Sequence, residues 1–151
     1  MVGDYWQFHV STLGFEHIQL SWDQTANATG PTNCDLRYST DGSSFTTFLS
    51  GYNVFQNSTG VGGGGGVWNA TNAFPSYSYS VDLSSITALD NANDVYFRIV
   101  ADVASPFGAG TGRVDNFDVS ASVIPEPRHL LVFGVACLAV LGQRSRRGRS
   151  Y

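Results

Sequence analysis

Val95-Tyr96-Phe97-Arg98-Ile99-Val100-Ala101 decides the fold class of this chain. Side chains along a strand alternate between its two faces, so Val95, Phe97, Ile99 and Ala101 share one face and Tyr96, Arg98 and Val100 the other. Apolar on one face and mixed on the other, the segment is predicted to be a central strand of a sheet. The same period of two recurs outward from it. It groups Trp6, Phe8 and Val10 within Tyr5–Ser11, Ile18, Leu20 and Trp22 within Glu16–Asp23, and Tyr79, Val81 and Leu83 within Tyr77–Leu83. A last strand, Arg113–Val123, is expected to turn Phe117, Val119, Ala121 and Val123 inward. Between Leu36–Ser39 and Ser44–Phe48 lies Thr40-Asp41-Gly42-Ser43, and Asp-Gly between two strand-like segments marks a hairpin. Asp82–Asp90 is expected to form one capped helical turn or a short crossover, with Asp82 or Ser84 as cap. No window of residues 1–124 carries a sustained helical apolar period. The fold class expected is all-β, an antiparallel β-sandwich of jelly-roll type over residues 1–123.

Charge divides the chain. Residues 1–124 hold eleven acidic and three basic side chains, net −8, whereas residues 125–151 hold one and five, net +4, giving the −4 of the whole. All eight basic residues are arginines. So acidic a body is repelled by phosphate backbones, which excludes nucleic acid as a partner. Roughly 120 residues suffice to bury a core without metals or disulfides. Cys34 and Cys137 lie in different segments and form no disulfide framework; Cys34 is expected to be a small buried apolar side chain.

The C-terminal end is organised differently. Leu130–Gly142 contains no charged residue and no alternation, so a hydrophobic helix is expected there. Thirteen residues at about 1.5 Å each give roughly 20 Å, short of the roughly 30 Å of a bilayer core. Arg144, Arg146, Arg147 and Arg149 follow at once in the tail 143–151, and arginines beside an apolar helix stay on the cytoplasmic side. In front, Pro125 and Pro127 fix φ and remove two backbone donors, so the linker 124–129 should be extended and solvated.

Ile124-Pro125-Glu126-Pro127, the apolar run and the arginine-rich end together resemble the PEP-CTERM protein-sorting domain. The resemblance covers about the last twenty-seven residues. It implies an exported protein of a Gram-negative bacterium, of a kind associated with exopolysaccharide or biofilm matrix. The partner it implies is an exosortase, a membrane cysteine protease that recognises Pro125, Glu126 and Pro127. The chain would sit transiently in the inner membrane and then reach the cell surface or the exterior. Arg128 and His129 stand where small hydroxyl residues are common in that family. Such proteins begin with a signal peptide, which Met1–Phe8 does not show. The chain is therefore expected to be truncated at its N-terminus, the alternative being export by an unrecognised route.

The body resembles galactose-binding-like and MAM-like jelly rolls. The carriers are Tyr38–Ser43, Asp82-Leu83-Ser84, Val95–Val100 and above all Gly110–Val119, which looks like their closing strand. That resemblance implies the fold, and adhesion or carbohydrate binding, for instance at a polysaccharide matrix.

Individual residues suggest sites. Strand parity puts Asp115 on the face of Phe117 and Val119, and an inward carboxylate must be paired, hydrogen-bonded or metal-bound. It is a candidate Ca²⁺ ligand, with Asp23, Asn33 or Asp35 from another loop; the alternatives are acceptance of backbone N–H groups or pairing with Arg98. Trp68, Tyr52 and Tyr77 are candidate rings for stacking on sugars. Gly60–Gly66 is a flexible loop rather than a phosphate cradle, because no Gly-Lys-Ser/Thr follows. Asn27, Asn57 and Asn69 fit the glycosylation pattern by chance in Asn- and Thr-rich loops. Enzyme chemistry has little support, and no catalytic residue is expected. Glu16 is the only glutamate of residues 1–124, there is no Gly-x-Ser-x-Gly or His-Glu-x-x-His, and His9 and His17 look like surface residues.

Overall fold

Strands β1 (Tyr5–Val10), β2 (Phe15–Ala26), β3 (Asn33–Ser39), β4 (Thr46–Asn53), β5 (Ser78–Asp82), β6 (Val95–Ala101) and β7 (Gly112–Val123) build two antiparallel sheets. The computed structural model describes residues 2–27, 29–56, 77–102 and 110–126. One sheet has the order β1-β6-β3-β4 and the other β5-β2-β7. The stretch that decided the fold class, β6, is central in the first sheet. It pairs Phe8 with Phe97 on one side and Leu36 with Ile99 on the other.

The alternation dictates which faces meet. Ile18, Leu20 and Trp22 of β2, Leu36 of β3, and Val95, Phe97 and Ile99 of β6 are all buried in one cluster between the sheets. Burial of each such side chain contributes about 1.5–3 kcal/mol. Trp6, Phe8 and Val10 of β1 and Tyr79 and Val81 of β5 pack against its margin as their parity required. The rings of Phe8 and Phe117 stack at 3.7 Å across the two sheets.

The core also holds a polar knot. Gln24 is fully buried, and its Oε1 accepts from Trp22 Nε1 at 3.1 Å and from the Tyr52 hydroxyl at 2.6 Å. Its Nε2 donates to Cys34 Sγ at 3.3 Å. Cys34 is buried and free, as expected. Its surroundings push the thiol up to about 11, through burial first, against the Gln24 hydrogen bond, and with Asp35 and Asp102 adding to the rise.

The hairpin forms at the Asp-Gly pair. Asp41 Oδ1 accepts from the backbone N–H groups of Ser43 and Ser44 and from the Ser39 hydroxyl, which holds the carboxyl far below its ordinary range. Gly42 takes φ +70°, and a Cβ there would meet the Tyr96 ring at 3.1 Å. At the other expected turn the helical piece is a 3₁₀ turn, Thr87–Leu89, without a side-chain cap. Asp82 Oδ1 instead accepts from Ser84 N at 2.8 Å, at the exit of β5.

The expected phase of β7 needs correction. Between the pairs Ser21/Asp118 and Asp23/Asp115 the register slips, and Asn116 takes φ +49°. This is a β-bulge, one extra residue on β7, and it inverts the parity on its two sides. Val114 rather than Asp115 joins Phe117 and Val119 against the core, and Asp115 is exposed. Beyond Val119 the strand runs past the core, so Ala121 and Val123 are exposed and not inward. A second bulge lies on β2 at His17, φ +58°.

The expected helix Leu130–Gly142 and tail 143–151 lie outside the described residues. Among the described residues, no helix is long and apolar enough to cross a membrane.

Candidate functional site

On the outer face of the four-stranded sheet, β1, β6 and β3 set Gln7, Arg98 and Arg37 in one row. Gln7 pairs with Arg98, and Arg98 with Arg37, as direct cross-strand neighbours. Like charges directly opposite each other are destabilising, so each needs compensation. Arg37 finds it in Asp35 Oδ2, at 2.7 Å from its Nη2. Asp35 also accepts from Gly51 N at 2.8 Å. Burial raises the Asp35 carboxyl, but the Arg37 hydrogen bond, the Gly51 N–H and the Arg37 charge outweigh it and hold the group below its ordinary value. Arg37 Nε is buried without a hydrogen-bond partner among the described residues.

Arg98 is compensated differently. Its Nε donates to Gln7 Oε1 at 2.7 Å, and its guanidinium carbon lies 4.2 Å from the Tyr5 ring centroid and 3.6 Å from that of Phe45. Two aromatic faces and an amide therefore fix the guanidinium plane. Among the described residues no carboxylate pairs with it. Arg98, Arg37, Tyr5, Phe45 and Asp102 line a cleft of about 210 Å³. Asp102 is exposed, and its carboxylate has no hydrogen bond within the described residues.

The residues singled out in the sequence do not converge there. The bulge turns Asp115 outward onto the other sheet, where its Oδ1 accepts from Asn116 N at 2.8 Å. Arg98 belongs to the opposite sheet and does not pair with it. Asp23 faces Asp115 across the ladder, but its two oxygens are taken by Ser78 Oγ at 2.6 Å and Asn116 Nδ2 at 2.7 Å. Asn33 bonds Gly51 O and Asn53 within its own sheet. Among the described residues no group of three or more His, Cys, Asp and Glu is placed to hold a metal ion. The calcium set expected around Asp115 is thus dispersed over two sheets.

Nor do the candidate stacking rings present a face. Tyr77 is 4% exposed, with its ring edge-on to Phe55 at 4.7 Å. Tyr52 points into the core against Trp22 and Tyr79, and burial drives its hydroxyl pKa far up. The hydroxyl of each tyrosine lets a large apolar ring enter the core with a polar handle, which composition does not reveal. Trp68 and Gly60–Gly66 lie outside the described residues. His9 and His17 are exposed as expected but stand on different sheets; His9 Nε2 lies 2.8 Å from Asp94 Oδ1.

No protein-family model, curated protein or solved structure matches the chain. The chemistry must therefore be argued from the residues. The Arg98 cleft escaped the sequence, since Tyr5 and Phe45 come from distant segments. Its one signal was an outward arginine in a body with only three cations.

At the exit of β7, Ile124 N donates to Gly14 O at 2.9 Å, and Pro125 and Glu126 are exposed. Pro127 and the four tail arginines lie outside the described residues.

Proposed function

We propose that this chain is an exported cell-envelope or extracellular-matrix protein of a Gram-negative bacterium, whose sandwich is cargo for a C-terminal sorting signal. The signal is the ordered run of Pro125-Glu126-Pro127, the apolar segment Leu130–Gly142 and the cluster Arg144, Arg146, Arg147 and Arg149. An exosortase reads it and cuts near the tripeptide; the body is its substrate and not a catalyst. The single observation carrying this reading is the order and spacing of those three parts. The fold is consistent with it in one respect. The last strand closes at Val123, and the next backbone bond, at Ile124, ends the folded body just before an exposed Pro125-Glu126. A protease needs such an extended, solvated peptide. A run of thirteen residues suits an anchor that is used once and removed. The finer architecture is taken to be a jelly roll, a reading supported by sheets whose strand orders interleave segments distant in the chain.

The test is replacement of Pro125-Glu126-Pro127 by three alanines in an exosortase-positive host, with a secretory signal peptide fused ahead of Met1. Full-length protein should then accumulate in the membrane. C-terminal processing unchanged by mass spectrometry would overturn the assignment.

A further inference from the structure

We infer that the Arg98 cleft binds an anionic sugar ring through its carboxylate, a uronic acid residue of an acidic polysaccharide. The inference stands on the cleft alone and does not need the sorting reading. Eleven acidic side chains populate residues 1–124, yet within the described residues none pairs with Arg98, while the neighbouring Arg37 is neutralised by Asp35. Within the described residues Arg98 thus lacks a counter-charge, as does the exposed Arg113 on the other sheet, but Arg98 alone stands in a cleft. It is also immobilised, with Gln7 on Nε and the Tyr5 and Phe45 rings against its plane. Among the described residues the Nη edge of the guanidinium makes no hydrogen bond, and it presents two parallel donors in the geometry that a carboxylate accepts in bidentate fashion.

Three properties of the cleft narrow the ligand. At about 210 Å³ it is smaller than the roughly 300–1,000 Å³ of pockets for drug-sized molecules, and so takes a single ring. Tyr5 is 52% exposed, leaving aromatic surface beside the guanidinium for the apolar face of a sugar. Asp102, on the same cleft, supplies an acceptor for hydroxyl groups. A uronic acid offers carboxylate, ring face and hydroxyls within one residue, whereas an acidic peptide offers the first alone. The net −8 of the body opposes long polyanions at long range, so the local contacts of the cleft are best read with short acidic oligosaccharides.

The experiment is calorimetric titration of the full chain, in mild detergent at low salt, with oligogalacturonate of three to six residues, its fully methyl-esterified form, and poly-glutamate. Oligogalacturonate should bind, and esterification should weaken binding at least tenfold. Arg98→Gln should do the same, and Arg98→Lys should not restore it, since the charge returns without the planar fork. Circular dichroism melting verifies that the variants fold; if Arg98→Gln does not, the ester comparison on the natural chain decides by itself. Absence of oligogalacturonate binding, equal binding of the ester, or tighter binding of poly-glutamate would each overturn the inference. Because the readout is affinity in solution, its failure leaves exosortase processing untouched, and the converse also holds.

Discussion

Gln24→Met is the perturbation that interrogates the core most directly. Methionine has nearly the same volume and no acceptor of comparable strength, so packing is kept while Trp22 Nε1–H and the Tyr52 hydroxyl lose their common partner. A buried donor left without an acceptor costs about 1–3 kcal/mol, so the two together should cost roughly 2–5 kcal/mol. That is a large share of the roughly 5–15 kcal/mol by which a domain is stable. The sharper signature is coupling. Tyr52→Phe in the natural chain removes one hydrogen bond and should cost about 1 kcal/mol. In the Gln24→Met background the same change deletes an orphaned hydroxyl and should be neutral or stabilising, giving a coupling of roughly 1–2 kcal/mol. Urea unfolding followed by tryptophan fluorescence measures all four corners of the cycle, provided the urea dependence of the free energy is the same in each. If Gln24→Met costs less than about 0.5 kcal/mol, or Tyr52→Phe costs the same in both backgrounds, the knot is not a unit.

Two further predictions follow from the titrating groups. Cys34, pushed up to about 11, should hold roughly one thiolate per thousand molecules at pH 8. In a Cys137→Ser background, Ellman's reagent should therefore label the native chain slowly and the urea-unfolded chain at once; rapid native labelling would contradict the burial. Asp35 has a folded-state pKa below its ordinary value, so it contributes stability above about pH 4 that is lost as pH falls through the lowered value. Asp35→Asn should be the less stable form at pH 6 and lose less on acidification to pH 3, as read from urea midpoints. Parallel losses in the two proteins would remove Asp35 from the acid limb.

The alternation of Val95–Ala101, of Tyr5–Val10 and of Ile18–Trp22 was legible because each strand is locally regular and buries one face. Gly42 was legible because a left-handed backbone in the loop between two strands admits few residues. The polar knot at Gln24 was not legible, since Cys34 and Tyr52 reach it from β3 and β4. Parity failed in β7 for a definite reason. The bulge at Asn116 inserts one residue whose conformation depends on its pairing with β2, and no local pattern in Gly110–Val119 encodes that slip. One misplaced residue was enough to carry Asp115 from the core to the surface and to disperse the calcium site built on it. The Arg98 cleft was hidden for another reason: it is assembled from residues 5, 7, 37, 45, 98 and 102, whose proximity is a property of strand order and not of sequence.

The continuity of β7 with the linker has a mechanical side. Any tension applied through the C-terminal segment enters the body at Val123 and runs along the axis of a twelve-residue strand. The rungs joining β7 to β2 extend from Phe15/Val123 to Ala26/Gly112 and lie across that axis, so an axial pull strains them together instead of one after another. A tether leaving at right angles would open the same ladder like a zip. A pull directed along β7 therefore loads the sheet in the direction in which it best resists being pulled apart.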